Sequence, residues 1–320
     1  MKRMFFATAA LLWAGMALAQ GGFPNRPITM VVGFAPGGGT DTSARIIAKA
    51  VAEHLGQPVQ VDNRAGAGGN IAHDHVAKST PDGHMILLGS VGPLTVAPHM
   101  IKNLPYDPLK DLAPVTMAVT FANVLVVHDG VPVRTLAEYV KYARDKDGTL
   151  TYGSSGIGGA GHLSGELFRM MSRVNIVHVP YKGGGPAMQD LLGKQIASIF
   201  ATPISAGPHI KTGRIRAIAV TSAARTDFLP EVPTIAESGY PGFEATNWYA
   251  YVLPSKTPND IVDRWNRELV KVLNAPEVRK ALQAQGMEPA PGTREALAAY
   301  IKREYDTWAR VVKEANITAN

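Results

Sequence analysis

Three stretches of this chain could do chemistry with almost no side chain. Pro36-Gly37-Gly38-Gly39-Thr40-Asp41 follows a β-branched apolar run. "GSSGIGGAGH", Gly153 to His162, follows Tyr152, and "YKGGGP", Tyr181 to Pro186, follows Val179-Pro180. Each leads into a helical pattern. The first turn of a helix carries amides with no internal partner, and its dipole adds partial positive charge. Glycine lets a ligand approach that backbone closely, so an anion is the natural guest. Any one of these loops is equally well a tight turn. Three of them, divided between two halves of the chain, point to the facing walls of a cleft.

The residue types narrow the anion. A phosphate-binding P-loop needs Gly-Lys-Ser/Thr, and the first loop has no lysine there. "GIGGAG", Gly156 to Gly161, fits a dinucleotide fingerprint loosely, but no acid follows at the expected spacing. Asp41 would repel a phosphate and could equally cap its helix. One or two carboxylates held by amides and hydroxyls fit better. A nucleophile at Ser155 is the enzymatic alternative, a secreted serine hydrolase. Its Gly-x-Ser-x-Gly pattern is broken by Ile157, and a histidine and an acid would have to come from elsewhere. His73, Asp74 and His75, with His84 nearby, could suggest a metal, but residues two apart point to different faces of a helix. They are expected on a surface helix and loop, with no metal and no cofactor. His162 is the one histidine expected near a ligand.

The elements that would position these loops alternate. Ile28 to Val32 reads as a buried strand, followed by helix spacing at Ala44, Ile47, Ala48, Val51 and Leu55 and a C-terminal glycine at Gly56. Strands at 59–61 and 85–88 flank a short helix at 70–77. Residues 104–120, rich in Pro and Asp, look like a connection. A second α/β series occupies roughly 124–245, with strands at 124–127, 150–152, 176–179, 196–200 and 215–220. A strand at 248–253 leads to a helical tail, with Thr257 as a cap and Pro258 as its first helical residue. The alternation argues parallel-rich sheets flanked by helices, and ligands in such sheets sit beyond the carboxyl ends of the strands.

Lys2 and Arg3, the apolar run to Leu18 and the Ala17-Leu18-Ala19 motif form a secretory signal peptide over residues 1–19, with Gln20 as the new N-terminus. The signal holds two of the net +6 charges, leaving +4 on the exported chain. The chain of 320 residues has no cysteine, so its core needs no disulfide. No basic stripe is interleaved with aromatics, which argues against nucleic acid.

Taken in order, "RPITMVVGFAPGGGTDTSARIIA", "VDNRAGAGGNIA", "STPDGHMILLGS", "YDPLKDLAPV", "LTYGSSGIGGAGHLSGELF", "VHVPYKGGGPAMQDLLGKQI", "GRIRAIAVTSAARTDFLPEVPTIAESGYPGFEA" and "PSKTP" resemble the Bug family of periplasmic solute receptors. That family includes the receptors of tripartite tricarboxylate transporters. The resemblance covers nearly the whole exported chain. It implies a two-lobed α/β periplasmic-binding-protein fold (type II) with crossing connections and a ligand cleft between the lobes. Lobe one would comprise 20–123 and 246–320, and lobe two 124–245. It also implies a monomeric, periplasmic, non-enzymatic receptor for a small carboxylate. Such a receptor would serve membrane components of a tripartite tricarboxylate transporter or a sensor protein. By motif, Phe34, Gly38, Gly39, Thr40, Asp41 and Ser90 would form one wall. Ser154, Ser155, Gly156, Gly161 and His162 would form the other, with Tyr181, Gly183 and Thr202 beside them. Two departures stand out. Gly33 replaces a frequent proline, and Ala201-Thr202 replaces an Asp-Asn type pair, which leans towards an organic acid over an amino acid.

Overall fold

The computed structural model describes residues 22–314. The signal peptide expected at 1–19, and Gln20 after it, lie outside the described residues. The chain begins with β1 (Ile28–Val32), α1 (Gly39–Leu55), β2 (Val59–Asn63), α2 (Asn70–Ala77), β3 (Met85–Ser90), a π-helical turn (Gly92–Val96), α3 (Ala97–Met100) and β4 (Leu112–Ala122). The next series is β5 (Val124–His128), α4 (Leu136–Asp145), β6 (Leu150–Ser154), α5 (Ala160–Ser172), β7 (Ile176–Pro180), α6 (Gly184–Leu192), β8 (Ser198–Ala201), α7 (Pro203–Lys211) and β9 (Ile215–Val220). The chain then continues with β10 (Thr246–Pro254), α8 (Asn259–Asn274), α9 (Pro276–Gln283), β11 (Glu288–Pro289) and α10 (Arg294–Glu314).

These strands form two mixed sheets. One has six strands in the order β11-β4-β10-β3-β1-β2, and the other five in the order β7-β6-β8-β5-β9. The first sheet therefore draws on the chain up to 122 and again from 246, while the second uses only 124–220. Each sheet is covered on both faces. In the first, Val51 and Leu55 of α1 pack with Trp265 and Leu269 of α8 on one face, and Val76 of α2 packs with Leu297 and Ile301 of α10 on the other. In the second, Tyr139 of α4 and Phe168 of α5 share one core, and Met188 and Leu191 of α6 share another with Ala206 of α7. This is the two-lobed α/β architecture expected from the sequence.

Local chemistry explains most boundaries. Gly56 ends α1 at φ 67°, donating its amide to the Ala52 carbonyl. Thr135 and Glu138 form a reciprocal capping box on α4. Two expectations are corrected. Residues 112–120, expected within a connection, belong to the eleven-residue strand Leu112–Ala122, which pairs antiparallel with β10. Pro114 sits beside an irregularity in that pairing, where its missing amide is tolerated. Thr257 does not cap α8: the helix starts at Asn259, Pro258 precedes it, and the buried Thr257 hydroxyl has no hydrogen-bond partner.

Candidate functional site

Four helices of the fold begin without a side-chain cap and point their first turns at one place. They are α1 after Gly38, α5 after Gly159, α6 after Gly183 and α7 after Thr202. Between them lies a cavity of about 40 Å³ lined by Gly38, Gly39 and Thr40 at the start of α1, Gly159, Ala160 and Gly161 at the start of α5, Gly184 of α6, and Thr202 and Ser205 at the start of α7. Phe34, Ser90, Ser155, Asn123, Asn247 and Tyr249 complete most of the wall. Among the described residues no Asp, Glu, Lys, Arg or His lines it. Its positive character comes from helix dipoles and unpartnered amides, and its polar side chains are hydroxyls and amides.

The two sheets meet closely around this space. The Ala35 amide donates to the Lys182 carbonyl at 2.9 Å, joining the first and third glycine-rich loops. A Cβ built on Gly39 would lie 2.6 Å from Thr202 Oγ1, so only glycine allows that approach. The chain crosses between the sheets at two adjacent points. The Asn123 and Ala245 amides both bond Thr221, the first to its hydroxyl at 2.9 Å and the second to its carbonyl at 2.8 Å. Asn123 and Asn247 thus sit on the crossings themselves.

Of the residues singled out from sequence, Phe34, Gly38, Gly39, Thr40, Ser90, Ser155, Gly161 and Thr202 come together around the cavity. The others stand behind or beside it. Asp41 turns away and clamps its own loop. Its carboxylate accepts the Gly37 amide at 3.0 Å, Arg45 Nε at 3.0 Å and Asn63 Nδ2 at 3.0 Å. Burial would raise its pKa, but the bonds from Arg45, Gly37 and Asn63 outweigh it and hold the carboxyl below its usual range. Ser154 is fully buried, its Oγ accepting the Gly156 amide at 3.1 Å and lying 2.7 Å from His178 Nε2. His162 lies behind the segment before its helix, its Nδ1 accepting the Gly158 amide at 3.1 Å. Gly156 and Tyr181 line a second cavity of about 390 Å³ between the sheets, with Gly68, Gly92, Met100 and Lys182. Gly183, at φ 147°, packs against the Ala35 amide.

Asn123, Asn247, Tyr249 and Ser205 were not expected. Burial raises the Tyr249 pKa, partly offset by a hydrogen bond with Thr40, so its phenol stays protonated against the cavity. The sequence signal for both asparagines was their position at the expected crossings, near 123 and 246. The histidines near residue 75 are corrected. His73 and His84 are buried rather than on the surface, and His73 Nδ1 donates to the Gly69 carbonyl at 2.9 Å. Among the described residues no group of three or more His, Cys, Asp or Glu could hold a metal. Nor does any hydrogen bond join Ser155 Oγ to a histidine; the histidine at bonding distance belongs to buried Ser154.

Residues 43–317 match the model of the tripartite tricarboxylate transporter family receptor. The chain belongs to this family. It is 42% identical over 299 residues, 93% of this chain and 89% of the relative, to the UPF0065 protein in the tcbD-tcbE intergenic region of Pseudomonas sp. (strain P51). It is 38% identical over 312 residues to the protein BugT of Bordetella pertussis, covering 97% and 95% of the two chains. Among solved structures, a Rhodopseudomonas palustris protein with adipate superposes with a TM-score of 0.90 at 37% identity, over 92% of this chain and 99% of that one. MatC of Rhodopseudomonas palustris with bound malate superposes with a TM-score of 0.86 at 32% identity, over 91% and 100%. The family and these neighbours are solute-binding receptors.

Proposed function

We propose that this protein is a non-enzymatic periplasmic receptor for a small organic acid, serving tripartite tricarboxylate-type uptake or sensing. The observation that carries the reading is the convergence of four uncapped helix N-termini on one cavity with no ionised side chain in its wall. Dipoles and free amides attract a carboxylate. The absence of a lining Asp or Glu leaves an ammonium group without a counter-charge, which favours a simple acid over an amino acid. The contacts would come from Thr40, Ser90, Ser155, Thr202, Asn123, Asn247 and the amides of Gly39 and Gly161. Relatives solved with adipate and with malate support a dicarboxylate. Lobes of 20–123 with 246–320, and 124–245, are supported by sheet membership and by the crossings at Asn123 and Asn247. Export through cleavage of residues 1–19 is supported by the sequence pattern and by structural neighbours described as periplasmic.

A cavity of about 40 Å³ takes only about three waters, so a dicarboxylate must part the lobes slightly. Hinge motion at the two crossings supplies that freedom. The test is a thermal-shift panel of mono-, di- and tricarboxylates, amino acids and aromatic acids. Ligand at 100-fold above Kd adds roughly 2.7 kcal/mol, or several degrees at this size. Dicarboxylates should shift the midpoint and amino acids should not. A panel in which no acid shifts it, or only amino acids do, overturns the reading.

A further inference from the structure

The segment Gly156–Gly159 is one of the parts of the second sheet's wall that touch the first. A Cβ on Gly156 would fall 3.0 Å from the Gly68 Cα, and one on Gly92 would fall 2.6 Å from the Gly158 carbonyl oxygen. Closure therefore requires this segment in one conformation, to within a few tenths of an ångström. Two histidines hold it from behind. His162 Nδ1 accepts the Gly158 amide at 3.1 Å, and His178 reaches Gly156 through Ser154 Oγ. The two imidazoles stack at 4.2 Å with 29° between planes. Neither lines the ligand cavity.

We infer that His162 is a positioning residue for ligand binding: neutral, with its proton on Nε2, it holds Gly156–Gly159 in the shape that fits Gly68 and Gly92, and protonated it releases that segment and weakens binding. An imidazolium has no lone pair at Nδ1, so the Gly158 amide would face a second N–H. Its charge would also lie against the stacked ring of His178. The charged groups acting on His162 are Glu166 and Arg169 of its own helix, and they oppose each other. From β6, Tyr152 packs on His178 and gives its hydroxyl to Glu166. Burial sets the balance and holds His162 below the usual imidazole value. As the lobes part, the segment relaxes and the ring approaches that ordinary value. Acid therefore favours the open form.

This inference rests on the acid-receptor reading, and the experiment separates the two. Adipate and malate binding is measured by calorimetry at pH 7.5 and 4.5 for the wild type, His162→Asn and His162→Leu. Asparagine places an acceptor near the Nδ1 position and does not titrate, so it should rescue binding at pH 7.5. Leucine should weaken it about tenfold, the scale of one orphaned buried amide. The protonation of the acids is common to all proteins and cancels in the ratio. Wild-type affinity should fall at least about tenfold more than that of His162→Asn on acidification, since one linked proton gives up to tenfold per pH unit. Protection of the Gly158 amide from hydrogen exchange should drop on acidification in the wild type and not in His162→Asn. Identical pH profiles in both proteins, or unchanged Gly158 protection, overturn the inference. If neither acid binds at either pH, these two acids are not ligands, the wider acid panel decides the receptor reading, and Gly158 protection alone decides the role of His162.

Discussion

The two ends of the seam between the lobes are braced in opposite ways. At one end, the Gly37–Gly39 turn is clamped by a charge: Asp41, buried and tied to Gly37, Arg45 and Asn63. At the other, Gly66–Gly69 and Gly156–Gly159 meet each other, and each is held by neutral imidazole. His73 Nδ1 donates to the Gly69 carbonyl, and His162 accepts the Gly158 amide. Burial lowers the His73 pKa to about 4 and that of His178 to about 3. The carboxylate clamp keeps its charge throughout the neutral and mildly acidic range. At the imidazole end a proton would take the acceptor from the Gly158 amide, whereas the bond from His73 to Gly69 would survive it and burial alone opposes the charge there. The same task, holding a glycine turn still, therefore has two different pH limits.

The sharpest way to break this comparison is acid. Between the ordinary imidazole value near 6.5 and about 4, the unfolded chain binds a proton at residue 73 that the folded chain does not. Stability should therefore fall as pH falls through that window, by about 3 kcal/mol in total. His73→Asn, which keeps a donor for Gly69, should flatten this slope in urea titrations at pH 6.5 and 4.5. An unchanged slope would remove His73 from the account.

The next effect separates closure from folding. A side chain at Gly39 meets Thr202 across the cleft, whereas one at Gly161 would lie 2.7 Å from the Phe200 carbonyl oxygen of its own lobe. Gly39→Val should lower acid affinity by roughly 100-fold, an overpacking cost near 3 kcal/mol, with little change in Tm. Gly161→Val should instead destabilise the fold by about 1–3 kcal/mol, a Tm loss of several degrees. Matching Tm losses in both variants would mean that Gly39 serves its own lobe rather than closure.

Removing the charged clamp comes third. Asp41→Ala strands the Gly37 amide and should cost about 1–2 kcal/mol at pH 7 by chemical denaturation. Because the folded pKa is lowered, the gap from wild type should persist as pH falls to the ordinary carboxylate value near 3.8. It should close only below that. A gap that closes by pH 5 would place Asp41 with the imidazoles. The smallest effect is at Ser155, which lines the cavity. Ser155→Ala should weaken acid binding about fivefold, close to 1 kcal/mol. Ester turnover by the wild type that this variant abolishes would favour a hydrolase.

Much of the fold was legible because its signals are local. The β-branched run at Ile28–Val32, the helical spacing from Ala44 to Leu55 and the αL glycine at Gly56 each act within a few residues. The strand at Leu112–Ala122 was hidden, since its hydrogen bonds come from β10, more than a hundred residues away, and its Pro114 reads as a breaker. In the site, the glycine-rich helix starts at Gly38, Gly159 and Gly183 were legible for the same local reason. Tyr249 was not, because it lies on an ordinary strand that only its pairing partners bring to the cleft.

The sequence by itself determined that this chain has two α/β series, that glycine-rich loops open helices in both, and that their order matches one family of receptors. Only the tertiary structure decided which polar groups face the cavity. Asp41, Ser154 and His162 stand within a few residues of the lining positions, yet each turns inward to satisfy a backbone amide of its own loop. Sequence proximity cannot separate these roles, because a buried amide and a bound carboxylate recruit the same residue types. Which one a side chain serves depends on a rotation about its Cα–Cβ bond, and the packing behind the loop sets that rotation.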